Sequence, residues 1–191
     1  MDTDSETDLM VRFAKGDEQA FRDLFLLYRN RIIAYCYRFF FDRELAEELS
    51  QEIFLKVYKA GPGYVPTARF STWIFKIAAH ACLNERRRGL YRNRIESIDS
   101  DEGSAVKDIP DPGATAHDRI EAMEKTRRIG LALRDLPKKQ RAALLLREYH
   151  GFSYREIGGQ LNMTEAGVKS LIHRGRENLR HALWDVLGEE S

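Results

Sequence analysis

The chain alternates between stripes of apolar residues at helical spacing and short polar or glycine-rich breaks. From Asp17 onward, Ala20, Phe21, Leu24, Phe25, Tyr28, Ile32, Tyr35, Cys36 and Phe39 follow one another at gaps of one, three and four. Such gaps align on one side of an α-helix, and Asp17, directly after Gly16, supplies an N-cap carboxylate. A second helix is expected to open near Asp42. Leu45, Leu49, Ile53 and Val57 recur in it at i, i+4 spacing, with Glu44, Glu47, Glu48, Gln51, Glu52 and Lys56 on the other faces. Residues 60–69, AGPGYVPTAR, hold two Gly and two Pro in ten positions and read as a loop. A third helix is predicted from about Ser71 to Arg88, with Ile74, Ile77, Ala78 and Ala81 on one side.

Beyond residue 93 the pattern stops. Residues 93–116 are poor in apolar side chains, rich in acid and broken by Pro-Asp-Pro-Gly, so they lack the surface to fold alone and read as a flexible linker. Helical patterning resumes from about His117 to Leu136. Pro137, suited to a first helical turn, opens a helix through about Tyr149, closed by Gly151. Ser153 and Glu156 form a Ser-x-x-Glu capping box for a short helix through Leu161. Asn162 suits its C-cap, and Thr164 N-caps a last helix that buries Val168, Leu171 or Ile172, Leu179, Ala182, Leu183 and Val186. The expected fold is all-α, with two helical bundles at residues 1–92 and 117–191 joined by the acidic linker 93–116.

Composition changes this picture little. The 191 residues are 43% apolar with 5 Pro and 13 Gly, which suits one fairly large domain or two small ones and excludes disorder and collagen-like chains. No apolar run approaches the roughly 18 residues of a membrane span, and the acidic start MDTDSETD does not resemble a signal peptide. A cytoplasmic protein without membrane insertion is expected. Cys36 and Cys82 sit in apolar stretches and are expected to be buried and reduced. Two cysteines alone build no metal cluster, so no metal and no cofactor are expected.

The distribution of charge matters more. The net charge of +1 conceals segregation: residues 86–94 carry five arginines and no acid, residues 95–125 carry nine acids against three bases, and residues 127–181 carry twelve bases against five acids. Two basic blocks around an acidic spacer point to polyanion contact at two places. The second block holds a capped short helix, a three-residue turn and a longer basic helix, the outline of a helix-turn-helix that reads the major groove. Ile157, Leu161 and Val168 would lock its two helices, Gly158 would permit their close approach, and Lys169, Ser170, His173, Arg174 and Arg176 would face outward. In the first block Phe70, Trp73 and Phe75 alternate with Arg69, Lys76 and the run Arg86–Arg88. Rings beside cations suit unpaired bases, which stack while their phosphates meet the charges.

In combination these segments resemble the extracytoplasmic-function sigma factors, a two-domain class of bacterial transcription initiation subunits. Residues 43–59 are similar to the helix by which that family binds core polymerase. Residues 70–88 resemble its segment that melts and reads the minus-ten element, and residues 136–180 its domain for the minus-thirty-five element. The resemblance implies a promoter-directing subunit with no enzymatic activity. Its partners would be the β′ clamp helices and β flap of core RNA polymerase, promoter DNA and an anti-sigma factor. Glu47, Glu48, Gln51, Glu52 and Leu55 would dock on polymerase. Tyr64, Arg69 and Phe70, in the loop that would receive a flipped base, with Trp73, Lys76, His80, Asn84, Arg86, Arg87 and Arg88, would meet the minus-ten strand. Arg155, Thr164, Lys169, Ser170, His173, Arg174 and Arg176 would meet the minus-thirty-five duplex. His80 stands where many members have Asn, and Ala166 to Leu171 departs from their frequent Gly-Thr-Val-Lys-Ser-Arg, so the promoter sequence does not carry over.

Two other classes remain to be weighed. A conventional helix-turn-helix regulator would bind duplex DNA without polymerase and would dimerise or sense a ligand through its first domain. A DNA-processing hydrolase or recombinase would need clustered carboxylates for a metal or a nucleophile among positioned arginines, and Glu47, Glu48 and Glu52 are expected on a solvated helix with no His or Asp partner.

Overall fold

The computed structural model describes residues 3–85 and 116–187. Arg86, Arg87, Arg88 and the linker through residue 115 lie outside the described residues. Among the described residues there are eight α-helices and no strand: α1 (Thr3–Ala14), α2 (Glu18–Phe40), α3 (Arg43–Ala60), α4 (Phe70–Asn84), α5 (Ala116–Asp135), α6 (Lys138–Glu148), α7 (Tyr154–Leu161) and α8 (Glu165–Leu187). The all-α expectation holds. A single 3₁₀ turn, Gly61–Gly63, opens the loop between α3 and α4.

Local chemistry accounts for most boundaries. Asp17 caps α2 by accepting from the amides of Gln19 and Ala20 and is held by Arg12 at 2.6 Å. Asp42 caps α3 through the Leu45 amide at 2.9 Å, and Phe41, left-handed at φ 56°, ends α2. Helix α1 was not expected. Its buried apolar residues Leu9, Met10 and Phe13, bunched at one end of the helix, do not form a recognisable stripe.

In the first half, Tyr28, Ile32, Tyr35 and Phe39 of α2 meet Leu49, Ile53 and Val57 of α3 and Ile74 of α4, all with little or no solvent contact. In the second, Leu145 and Leu146 of α6 pack with Ile157 of α7 and Val168 and Ile172 of α8. The two halves then share an apolar seam. Helix α4 is buried well beyond the expected face: Phe70, Phe75, Ala79 and Cys82 are enclosed along with Ile74 and Ala78, because α2, α7 and the segment before α7 cover further sides of it. Phe75 lies 4.0 Å from the His150 ring and 5.7 Å from Phe152, centroid to centroid. Gly130 of α5 leaves room for the Phe41 ring, which would lie 2.0 Å from any Cβ there.

Two cations of α6 fasten this seam. Arg141 has no solvent exposure, yet its guanidinium donates to the carbonyls of Phe39 at 2.5 Å, Leu136 at 2.8 Å and Arg134. Lys138 Nζ donates to Glu85 O at 2.8 Å and Leu83 O at 3.3 Å. Phe39 and Leu83 belong to the last turns of α2 and α4, where carbonyls lack helical partners and the helix dipole favours positive charge. The Arg141→Met variant would keep the aliphatic stem but leave three buried carbonyls short of a donor. Its unfolding free energy, read from denaturant titration, should fall by about 3 kcal/mol. Arg141→Lys should recover less than half of that loss, because one ammonium cannot reproduce the guanidinium fork.

Candidate nucleic-acid interface

The α7–turn–α8 unit is built by its own sequence. Ser153 Oγ accepts from the Glu156 amide at 3.2 Å, and Glu156 Oε2 accepts from the Ser153 amide at 2.8 Å, closing the expected capping box. Asn162 takes the left-handed conformation at φ 54° and turns the chain. A Cβ on Gly158 would sit 2.7 Å from Met163 O, so glycine is what lets the turn fold back against α7. Thr164 Oγ1 accepts from the Gly167 amide at 3.2 Å, as an N-cap of α8 does. With Val168, Leu171 and Ile172 all turned into the core, Lys169, Ser170, His173 and Arg174 are exposed on the far side, and Arg155 and Thr164 are exposed nearby. Arg176 is engaged elsewhere: it pairs with Glu148 of α6 at 2.6 Å and so leans toward the bundle. Beside that pair, Ile129, Leu133, Leu144, Leu145, Tyr149 and Leu179 line an apolar groove of about 400 Å³.

The loop and α4 present a second, mixed surface. Arg69, Lys76 and Asn84 are exposed, while Trp73 and Tyr64 are half-buried with ring centroids 5.1 Å apart, edge to face. Burial raises the Tyr64 phenol above its ordinary pKa. Phe70 is fully enclosed, standing edge-on to Tyr28 at 5.1 Å, so its ring braces the loop and offers no open stacking face. His80 is half-buried, its Nε2 2.7 Å from Gln160 O. Thr72 Oγ1 donates to Glu156 at 3.3 Å and Thr72 O accepts from Gln160 at 3.5 Å. One edge of α4, carrying Thr72 and His80, therefore lies against the first helix of the helix-turn-helix. The wholly buried Gln160 carried no signal of this role: in sequence it is one polar residue in a short amphipathic helix.

On α3, Glu47, Gln51, Glu52 and Leu55 are exposed and Glu48 is half-buried, around the apolar side that faces α2. Glu47 pairs with Arg43 at 3.1 Å. Leu55 is 58% exposed, an apolar residue standing within an acid and amide surface.

Along the seam, the buried atoms Tyr35 Oη, His150 Nε2 and Gln160 Oε1 have no hydrogen-bond partner in the protein. Each such buried group costs about 1–3 kcal/mol, so the contact between the halves is weaker than its apolar area implies. Burial, with Arg31 and Arg38 nearby, lowers the His150 pKa from 6.5 to about 3. Cys36 and Cys82 are free and wholly buried with sulfurs 3.9 Å apart, and burial raises the Cys82 thiol well above its usual pKa. Among the described residues no group of three or more His, Cys, Asp and Glu is placed to hold a metal ion, and no helix is long and apolar enough to cross a membrane.

Comparison with known proteins gives consistent matches. The Sigma-70 region 2 family matches residues 24–90 and the Sigma-70, region 4 family matches residues 126–179. The RNA polymerase sigma-H factor of Pseudomonas aeruginosa is 33% identical over 97% of each chain. The ECF RNA polymerase sigma factor SigW of Bacillus subtilis is 31% identical over 90% of this chain and 93% of its own. Among solved structures, CnrH in complex with the cytosolic domain of CnrY has a TM-score of 0.65 at 20% identity, covering 96% of this chain and 99% of that one. The sigma factor RpoE with the anti-sigma factor NepR from Bartonella quintana has a TM-score of 0.63 at 20% identity, covering 85% and 96%. At that identity the likeness is one of fold.

The seam should be acid-sensitive. A neutral His150 in the packed state and an ordinary imidazole in the unfolded chain differ in proton uptake only below about pH 6.5. His150 therefore adds no pH dependence above that point. As pH falls from about 6.5 toward 3 its contribution weakens stability by up to about 1.4 kcal/mol per unit. Denaturant titrations at pH 7.5 and 5.5 should show this slope in the parent chain and a flatter one in His150→Phe.

Proposed function

The chain belongs to the extracytoplasmic-function branch of the sigma-70 family, whose members direct transcription initiation, and from that premise we propose how its surfaces divide the work. Core RNA polymerase docks its β′ clamp helices on the α3 face of Glu47, Glu48, Gln51, Glu52 and Leu55. The α8 face of Lys169, Ser170, His173 and Arg174 enters the major groove of the minus-thirty-five duplex, where Arg and Lys can contact guanine edges or phosphates. Arg155 and Thr164 meet the adjoining backbone. The loop and α4 take the minus-ten strand, with Tyr64, Trp73 and Arg69 around an unpaired base and Lys76, Asn84 and Arg86–Arg88 along its phosphates. Flipping a base out of the stack costs a few kcal/mol, to be offset by stacking and by the cations. The polymerase β flap would lie in the apolar groove between α5, α6 and α8.

One observation carries the reading: the basic face of α8 is exposed while Val168, Leu171 and Ile172 are locked inside. His80 meets DNA only once Gln160 lets it go, so promoter reading requires the seam between the halves to part. The partnerless Tyr35, His150 and Gln160 atoms limit the cost of that step. Once apart, two modest DNA sites on one tether act together through effective concentration. An anti-sigma factor is the natural regulator, holding the halves where α4 and α8 cannot both reach DNA.

Run-off transcription with bacterial core polymerase on a promoter library tests the reading, and start sites that depend on this protein are the expected result. Duplex binding without polymerase-dependent initiation would favour a conventional helix-turn-helix regulator. Two variants separate the surfaces. Lys169→Ala combined with Arg174→Ala should weaken upstream-duplex affinity by about 1–3 kcal/mol per lost contact and flatten its salt dependence. Leu55→Asp should abolish core binding and leave duplex affinity intact.

A further inference from the structure

The loop of residues 61–69 has little to hold it in shape. Its internal backbone bonds are Tyr64 N to Gly61 O and Thr67 N to Val65 O, and all residues from Pro62 to Arg69 except Tyr64 are exposed. A loop that must receive a base in one geometry needs bracing from outside, and α1 touches the structure at both of its ends.

At the start of the loop, Phe13 lies on Gly61. A Cβ at position 61 would come within 2.2 Å of Phe13 Cε1 and 2.8 Å of Cδ1. Gly61 has φ −51° and ψ −50°, ordinary right-handed values that alanine adopts readily, so the glycine provides room rather than conformational freedom. The Phe13 ring cannot swing aside freely. It is 6% exposed and packs against Phe21 at 4.8 Å and Tyr58 at 5.3 Å.

At the end of the loop the link runs through Tyr28. Its hydroxyl donates to Glu6 Oε2 at 2.5 Å, and its buried ring stands edge-on to Phe70, the first residue of α4. Phe70 in turn contacts Trp73, which meets Tyr64. Helix α1 suits DNA poorly: Glu6 and Asp8 would repel phosphate, and Arg12 is paired with Asp17.

We propose that α1 is the positioning element of the base-capturing loop, Phe13 setting its start against Gly61 and Glu6 setting its end through Tyr28 and Phe70. The proposal rests on the reading of residues 61–69 as the site of an unpaired base. Phe13 and Glu6 act through their neighbours and touch no nucleotide.

The test uses the full chain with core polymerase, on a promoter recovered from the library, with 2-aminopurine in the minus-ten region to report strand opening. Gly61→Ala should lower the opened fraction roughly fivefold, while affinities for core polymerase and upstream duplex stay within about twofold. In a Phe13→Ala background the same substitution should have no further effect, because the obstructing ring is gone. Glu6→Ala should lower opening roughly threefold, and Glu6→Gln, which keeps an acceptor for Tyr28, should restore it. The proposal is overturned if Gly61→Ala opens like the parent, costs the same in both backgrounds, or loses core and duplex binding in step with opening. Failure of the parent chain itself to open any promoter would instead overturn the base-capture reading beneath it, and the two outcomes differ in whether the unsubstituted protein is affected.

Discussion

A guanidinium enclosed without solvent needs carbonyl oxygens on several sides, and here the ends of helices supply them. Arg141 meets Phe39 O from α2 and the carbonyls of Arg134 and Leu136 around the α5–α6 corner. Its carbon also lies 4.9 Å from the Phe39 ring centroid. The arrangement is all or nothing: a buried cation is tolerable when its donors are met and very costly when they are not. It therefore fixes where α6 begins relative to α2, and Lys138, one turn earlier, fixes it relative to α4. The packing of the two halves follows from that seat, including which side of α4 is covered by α7.

The consequence for function is a conflict built into α4. In the proposed role a helix that captures unpaired bases would need polar groups and rings within reach of solvent, but this one is enclosed on most of its circumference. The conflict is resolved along its length. Lys76 and Asn84 stay exposed, Trp73 is half-covered, and His80 is tied to Gln160 across the seam. The seam combines strong elements, the cation caps and the Phe75–His150–Phe152 ring cluster, with weak ones, the polar atoms of Tyr35, His150 and Gln160 that find no partner. Such a mixture gives a contact with a defined geometry that is nevertheless able to separate.

Much of this was legible in the chain. The caps Asp17, Asp42 and Ser153 and the turn at Asn162 are local devices whose partners lie within a few residues, so their sequence signals are complete in themselves. The face of α8 could be read for the same reason, since Val168, Leu171 and Ile172 leave Lys169 and His173 only one direction to point. Arg176 could not be read, because its partner Glu148 is 28 residues away on another helix and charge alone does not reveal which acid it meets. Phe70 was also ambiguous: aromatic residues beside cations describe a stacking platform and a core wall equally well, and only Tyr28 decides between them. Helix α1 carries no such signal, because its apolar residues are bunched between Leu9 and Ala14 and make too short a pattern to stand out.

The sequence by itself determined the helices from α2 onward, the caps at Asp17, Asp42 and Ser153, the helix-turn-helix and the segregation of charge, because each depends on neighbours close along the chain. The tertiary structure alone decided that Arg141 and Lys138 close two helices of the other half, that α7 covers the edge of α4 bearing His80, and that Phe13 rests on Gly61. These contacts join residues 48 to 102 positions apart. Periodicity records that a face is apolar and must be covered. It does not record what covers it, since burial lowers free energy in proportion to area whichever surface comes to meet it.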